Sequence, residues 1–156
     1  MAEMFVEVQA VMQLFDRKLD QIRRIANEFP AERIWTRPQP DMVSLGNLIC
    51  HVAGSMRDWL ENGLGQGAWQ RDRQREFIRE GDLDRQALIQ HLDDTRRHCD
   101  SFLAQIDAAA WDQSRPFRDK SFAVREIVLC QLEHAAYHAG QAAFLRRIVA
   151  ELEPAR

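Results

Sequence analysis

The sequence predicts an all-α fold, a four-helix bundle, from three observations. Apolar residues recur at three- and four-residue spacing through four long segments. No segment alternates convincingly as a strand, and proline, glycine or asparagine punctuates the junctions. With 156 residues, 46% hydrophobic and 29% charged, the chain is expected to form a single domain over residues 1–156 that buries a real core.

The first helix is expected from about Ala2 to Phe29, with an apolar stripe of Met4, Val8, Val11, Phe15, Leu19, Ile22, Ile25 and Phe29. Pro30 stops it, and Pro38 and Pro40 keep the next stretch extended. The second begins after Ser44, a good N-cap, and carries Leu45, Leu48, Val52, Met56 and Trp59 to the terminators Asn62 and Gly63. A long connector, roughly Gly63 to Gly81, exceeds what a tight antiparallel link requires and suggests a crossover. Its Arg71–Arg79 stretch, interrupted by Asp72 and Glu76, reads as a solvated loop. The third helix starts near Asp82 and repeats Leu88, Leu92, Thr95, Cys99, Phe102 and Ile106. Pro116 lies in the next loop. The fourth helix starts after Ser121, with Glu126 in its first turn, and runs to about Leu152 before Pro154.

The fourth helix breaks the apolar rule. Its core-facing series should read Val124, Ile127 or Val128, Gln131, His134, His138, Gln141, Leu145 and Ile148, with a polar run in the middle. Unpartnered imidazole and amide groups would cost roughly 1–3 kcal/mol each on burial. The run therefore implies internal hydrogen bonding, a water-filled cavity or a metal ion. His134 and His138, four residues apart, project from one helix face and can share an ion. His51 lies about 10 Å into the second helix, a depth at which it could meet them. His91 and His98 sit on a polar, solvated face, and Cys130 is too far from His138 along the helix to join one ion with the pair.

Other classes fit poorly. The net charge is −3 with no long basic run, which argues against a nucleic-acid surface. No apolar run approaches the roughly 18 residues that span a bilayer, so no membrane association is expected. Glu3 and Glu7 do not suit a secretory signal, and the three cysteines, Cys50, Cys99 and Cys130, suit reduced thiols; the expected location is cytoplasmic. Ala135 follows His134, so the His-Glu-x-x-His protease pattern is absent. No phosphate loop, serine elbow or paired-carboxylate helix motif appears. Trp69 and Trp111 lie in or beside loops and could mark a partner surface.

Trp35, Pro38, Ser44, Leu45, Leu48, His51, Val52 and Trp59 together resemble the opening signature of the DinB/YfiT-like superfamily. Glu126, Ile127, His134, His138, Gly140, Gln141 and Leu145 resemble its closing signature. The resemblance implies an up-down-down-up bundle, with His51, His134 and His138 as ligands of a divalent ion, zinc or nickel first, with iron, manganese or cobalt as alternatives. It also implies a homodimer and a small cytosolic thiol as co-substrate, since characterised relatives include thiol-dependent S-transferases. Gln141, one turn beyond His138, would orient a metal-bound ligand or a water, or simply hydrogen-bond within the core. The expected function is a metal-dependent thiol S-transferase. A metal-dependent hydrolase, or a non-catalytic metal-binding stress-response protein, is the alternative.

Overall fold

A computed structural model describes residues 5–65, 67–78 and 80–152. The expected start at Ala2, Met4 of the first stripe, Glu3, Arg79 and Pro154 lie outside these residues. The chain is mostly helical, and four long helices share one core. These are α1 (Val6–Glu28), α2 (Leu45–Arg57), α4 (Arg85–Leu103) and α6 (Val124–Glu151). Helix α1 packs on α6 and α4, and α2 packs on α4 and α6. Two short helices, α3 (Arg73–Ile78) and α5 (Ala108–Trp111), lie in the connections. Among the described residues, no helix is long and apolar enough to cross a membrane.

The start of α2 follows from the side chain at its N-cap. Ser44 Oγ accepts from Asn47 N–H at 3.1 Å, and Asn47 Oδ1 accepts from Ser44 N–H at 3.3 Å, closing a capping box. Every residue from Leu45 to Met56 is buried, so α2 is enclosed on all sides rather than on one stripe. Its end widens into one π-helical turn over Asp58–Asn62, with Gly63 N–H donating to Asp58 O at 3.2 Å. Because Ser44 is fully buried, Ser44→Ala should destabilise the fold by about 1–2 kcal/mol. A lower denaturant midpoint at unchanged m-value would register it.

The first helix follows its expected stripe closely, burying Val8, Phe15, Leu19, Ile22 and Ile25. Helix α4 begins at Arg85, with Asp84 accepting from Ala87 N–H at 2.7 Å, slightly later than Asp82. Helix α6 begins at Val124, where Glu126 Oε2 accepts from Ala123 N–H at 2.7 Å. At the other end, Arg33 donates to the Val149 and Leu152 carbonyls, both at 2.9 Å, satisfying acceptors that a helix end leaves open.

Three expectations are corrected. A strand pair does exist: β1 (Ser114–Phe117) and β2 (Lys120–Ala123) form an antiparallel hairpin, Ser114 opposite Ala123 and Phe117 opposite Lys120. Four-residue strands are too short to show alternation, and Pro116 is tolerated because a two-stranded sheet is all edge. The Arg71–Arg79 stretch is not a solvated loop. Part of it forms α3, which packs on α2, and Glu76 is buried. The seam of α6 also differs from the expected one. Gln131, Ala135, Ala139, Ala142, Leu145 and Val149 are buried, whereas His134, His138, Gln141 and Ile148 are half-buried. Small alanines let the neighbouring helices come close. Of the polar run, Gln131 is thus buried in the seam as expected, whereas His134, His138 and Gln141 fall on its edge, where a cleft opens.

Candidate metal centre

Three histidines converge at that edge. His51 comes from the middle of buried α2, and His134 and His138 from successive turns of α6. His134 Nε2 lies 3.2 Å from His51 Nε2 and 3.1 Å from His138 Nε2. These three are the one group among the described residues whose ligand atoms could hold a metal ion together. Nitrogens bound tetrahedrally at 2.0–2.1 Å to zinc would stand about 3.3 Å apart, so the spacing nearly matches a common ion.

The outer nitrogens sharpen this. His51 Nδ1–H donates to Glu76 Oε2 at 2.9 Å, and His138 Nδ1–H donates to Gln141 Oε1 at 2.6 Å. A neutral ring with its proton on Nδ1 presents a lone pair at Nε2. Two lone pairs thus face the His134 Nε2, and a proton there could satisfy only one. A purely hydrogen-bonded triad leaves an acceptor facing an acceptor, whereas a cation satisfies all three. The residues fit a divalent ion.

Electrostatics agree. Burial pushes His134 down to about 3, with the adjoining His138 and His51 charges adding to the effect. Burial also lowers His138, and the hydrogen bond to Gln141 only partly opposes this. Both rings are therefore neutral near pH 7, the form that binds metals. Burial acts to raise the Glu76 carboxyl, but hydrogen bonds from His51 and Arg71 outweigh it and hold the group below its ordinary range.

Glu76 is the residue that sequence reasoning missed. Its carboxylate is gripped by Arg71, Nε to Oε1 at 2.7 Å and Nη2 to Oε2 at 2.9 Å, while Asn47 Nδ2 donates to its backbone carbonyl at 3.1 Å. The arrangement is a carboxylate–histidine pair of the kind that fixes a metal-binding ring and its tautomer. Gly54 makes room for it, because a Cβ there would stand 2.1 Å from Glu76 Oε1. An isolated glycine inside a helical pattern was the available signal, since it costs the helix about 1 kcal/mol against alanine.

Other candidates resolve differently. His98 is not simply solvated, since its Nε2 meets Glu61 Oε2 at 2.8 Å; His91 is exposed, and both stand outside the triad. Cys130 takes no part in the triad either. Burial pushes the Cys99 thiol up to about 12, which makes it an inert core group. Trp69 is half-buried beneath the Arg57 guanidinium, and Trp111 packs edge-on against Phe5, so neither tryptophan is a free surface anchor. The triad opens onto a cleft of about 500 Å³ whose lining includes Trp59 and Tyr137.

Two solved structures share this fold. A conserved protein from Enterococcus faecalis superposes with a TM-score of 0.77 at 17% identity, covering 96% of this chain and 100% of that one. A DinB-like protein from Bacillus cereus ATCC 10987 gives a TM-score of 0.66 at 12% identity, covering 95% and 96%. No curated protein matches the sequence. The sequence model of the DinB superfamily matches residues 14–142, which take in all three histidines and most of the helical core. The chain belongs to the DinB superfamily.

Proposed function

We propose that the protein is a divalent-metal enzyme whose ion, zinc or nickel first, is held by His51, His134 and His138, and that it transfers a small thiol. The observation that carries this reading is the convergence of three histidines, with His134 Nε2 3.2 Å from that of His51 and 3.1 Å from that of His138, and with the Nδ1 protons of His51 and His138 anchored outside the triad. Three neutral imidazoles leave an ion its full charge and an open position. A divalent ion bound there would lower the pKa of a coordinated thiol and supply thiolate near neutral pH. The protein's own groups do the rest. Glu76 keeps the His51 proton on Nδ1, Gln141 does the same for His138, and the Phe77 ring packs against the His51 ring at 4.8 Å and helps hold it in place.

Thiol transfer is preferred to hydrolysis on a specific ground. The nearest carboxylate, Glu76, is committed to His51 and Arg71 and has no free oxygen for a general base. The proposal includes a single up-down-down-up four-helix domain, a homodimer and a cytoplasmic location. Native mass spectrometry should find one divalent ion per chain. Adding 2-mercaptoethanol to cobalt-substituted protein should then produce a thiolate-to-cobalt charge-transfer band. A loaded protein that never shows the band would have a closed ligand shell, and the transferase reading would fall to the non-catalytic one.

A further inference from the structure

We infer that the substrate reaching this cleft is an anion, recognised through an oxyanion such as a carboxylate by Arg73 and Arg118. The inference rests on the open metal site proposed above and names the class of molecule it would serve.

Three arginines, Arg71, Arg73 and Arg118, line the cleft that holds the histidines. They come from separate places: the connector, the first residue of α3, and the tip of the β1–β2 hairpin. Their duties differ. Arg71 is nearly buried, its side chain 10% exposed, and its guanidinium is spent on Glu76, with Asp58 3.7 Å away. It is a positioning residue. Arg118 donates to the same Asp58 at 2.6 Å, yet 53% of its side chain remains exposed. Arg73 makes no ion pair among the described residues and lies over the Phe77 ring at 5.3 Å. Three guanidiniums therefore face two carboxylates, Glu76 and Asp58, and the excess is positive before any metal ion adds to it. Low-dielectric walls focus such a field on whatever enters.

The hairpin indicates that Arg118 is held there at a cost. It has φ 59°, a left-handed conformation that two-residue hairpin turns normally give to glycine, asparagine or aspartate. Its guanidinium lies over Phe117 at 4.8 Å and Trp59 at 5.5 Å, and Phe117 and Phe122 pack edge-on against Trp59. The hairpin is thus anchored to the helical body by aromatic contacts, and it carries a strained, half-exposed arginine to the cleft. Strain of this kind persists where surrounding structure over-determines it, and it concentrates at ligand clamps. Arginine forks suit carboxylates and related oxyanions.

The test titrates full-length protein, metal-free and zinc-loaded, with mercaptosuccinate and with the neutral thiol thioglycerol. Zinc-loaded protein should bind mercaptosuccinate about tenfold or more tightly than thioglycerol. Arg73→Gln should reduce the ratio of the two affinities, and Arg73→Gln with Arg118→Gln should bring it near one, with the circular dichroism of the folded chain retained. Arg73→Gln breaks no ion pair, so its result stands even if the double variant folds poorly. Equal affinities in the unaltered protein, or a ratio untouched by Arg73→Gln, overturns the inference. If the protein takes up no zinc, the metal reading fails separately. Arg73-dependent binding of mercaptosuccinate to the metal-free chain would then still support the oxyanion site, and no binding would overturn that too.

Discussion

His134→Ala should abolish stoichiometric metal binding while leaving the fold intact. His134 Nε2 is the atom nearest both other ligands, and without it only His51 on α2 and His138 on α6 remain, with no ligand between them. The loss should exceed the roughly 10–100-fold that changes around a metal site cost, because a ligand itself is removed. Competition against a zinc chelator reads it directly. The side chain is half-buried, at the edge of the α6 seam rather than within it, so thermal stability of the metal-free protein should hardly fall. It should even rise slightly if the removal of facing lone pairs outweighs the small void. Unchanged metal content in His134→Ala would end the three-histidine reading.

Glu76→Gln and Gly54→Ala should both weaken metal binding by about 10–100-fold, by different routes. The first replaces the carboxylate that accepts the His51 Nδ1 proton and receives two Arg71 bonds. The second leaves every polar group in place but inserts a methyl group 2.1 Å from Glu76 Oε1, so the carboxylate must withdraw from His51. Helix propensity separates this from general damage. Alanine favours a helix interior over glycine by about 0.8–1 kcal/mol, so Gly54→Ala should lose affinity with no loss of helix content. If it binds zinc as the unaltered protein does, the carboxylate has no part in setting the ring.

The helices were legible because each is long enough for its spacing to accumulate. The stripe Val8, Phe15, Leu19, Ile22 and Ile25 is read and buried as the period requires. Ser44 announces α2 through local chemistry alone. The hairpin escaped because four residues carry too little pattern. Seam position on α6 escaped for a related reason: alanine is weakly apolar and small, so Ala135, Ala139 and Ala142 do not stand out in the sequence as core positions. Only close approach of the neighbouring helices reveals them as core.

The candidate site divides along the same line. Two histidines on adjacent turns of one helix are a local fact, and their shared face follows from the helical repeat. His51 belongs to another helix, and only the packing of α2 on α6 brings its Nε2 within 3.2 Å of His134. Arg73 and Glu76 lie on a helix of six residues, too short for its period to show in the sequence, and Arg71 and Arg118 lie on a connector and a hairpin turn, so only the folded chain could turn them toward the histidines. The sequence by itself determined the helical class and the donor types, because these depend on interactions within a turn or two. The tertiary structure alone decided which carboxylate orients which ring and which charges line the cleft, because such contacts join residues distant in the chain through packing that no local pattern encodes.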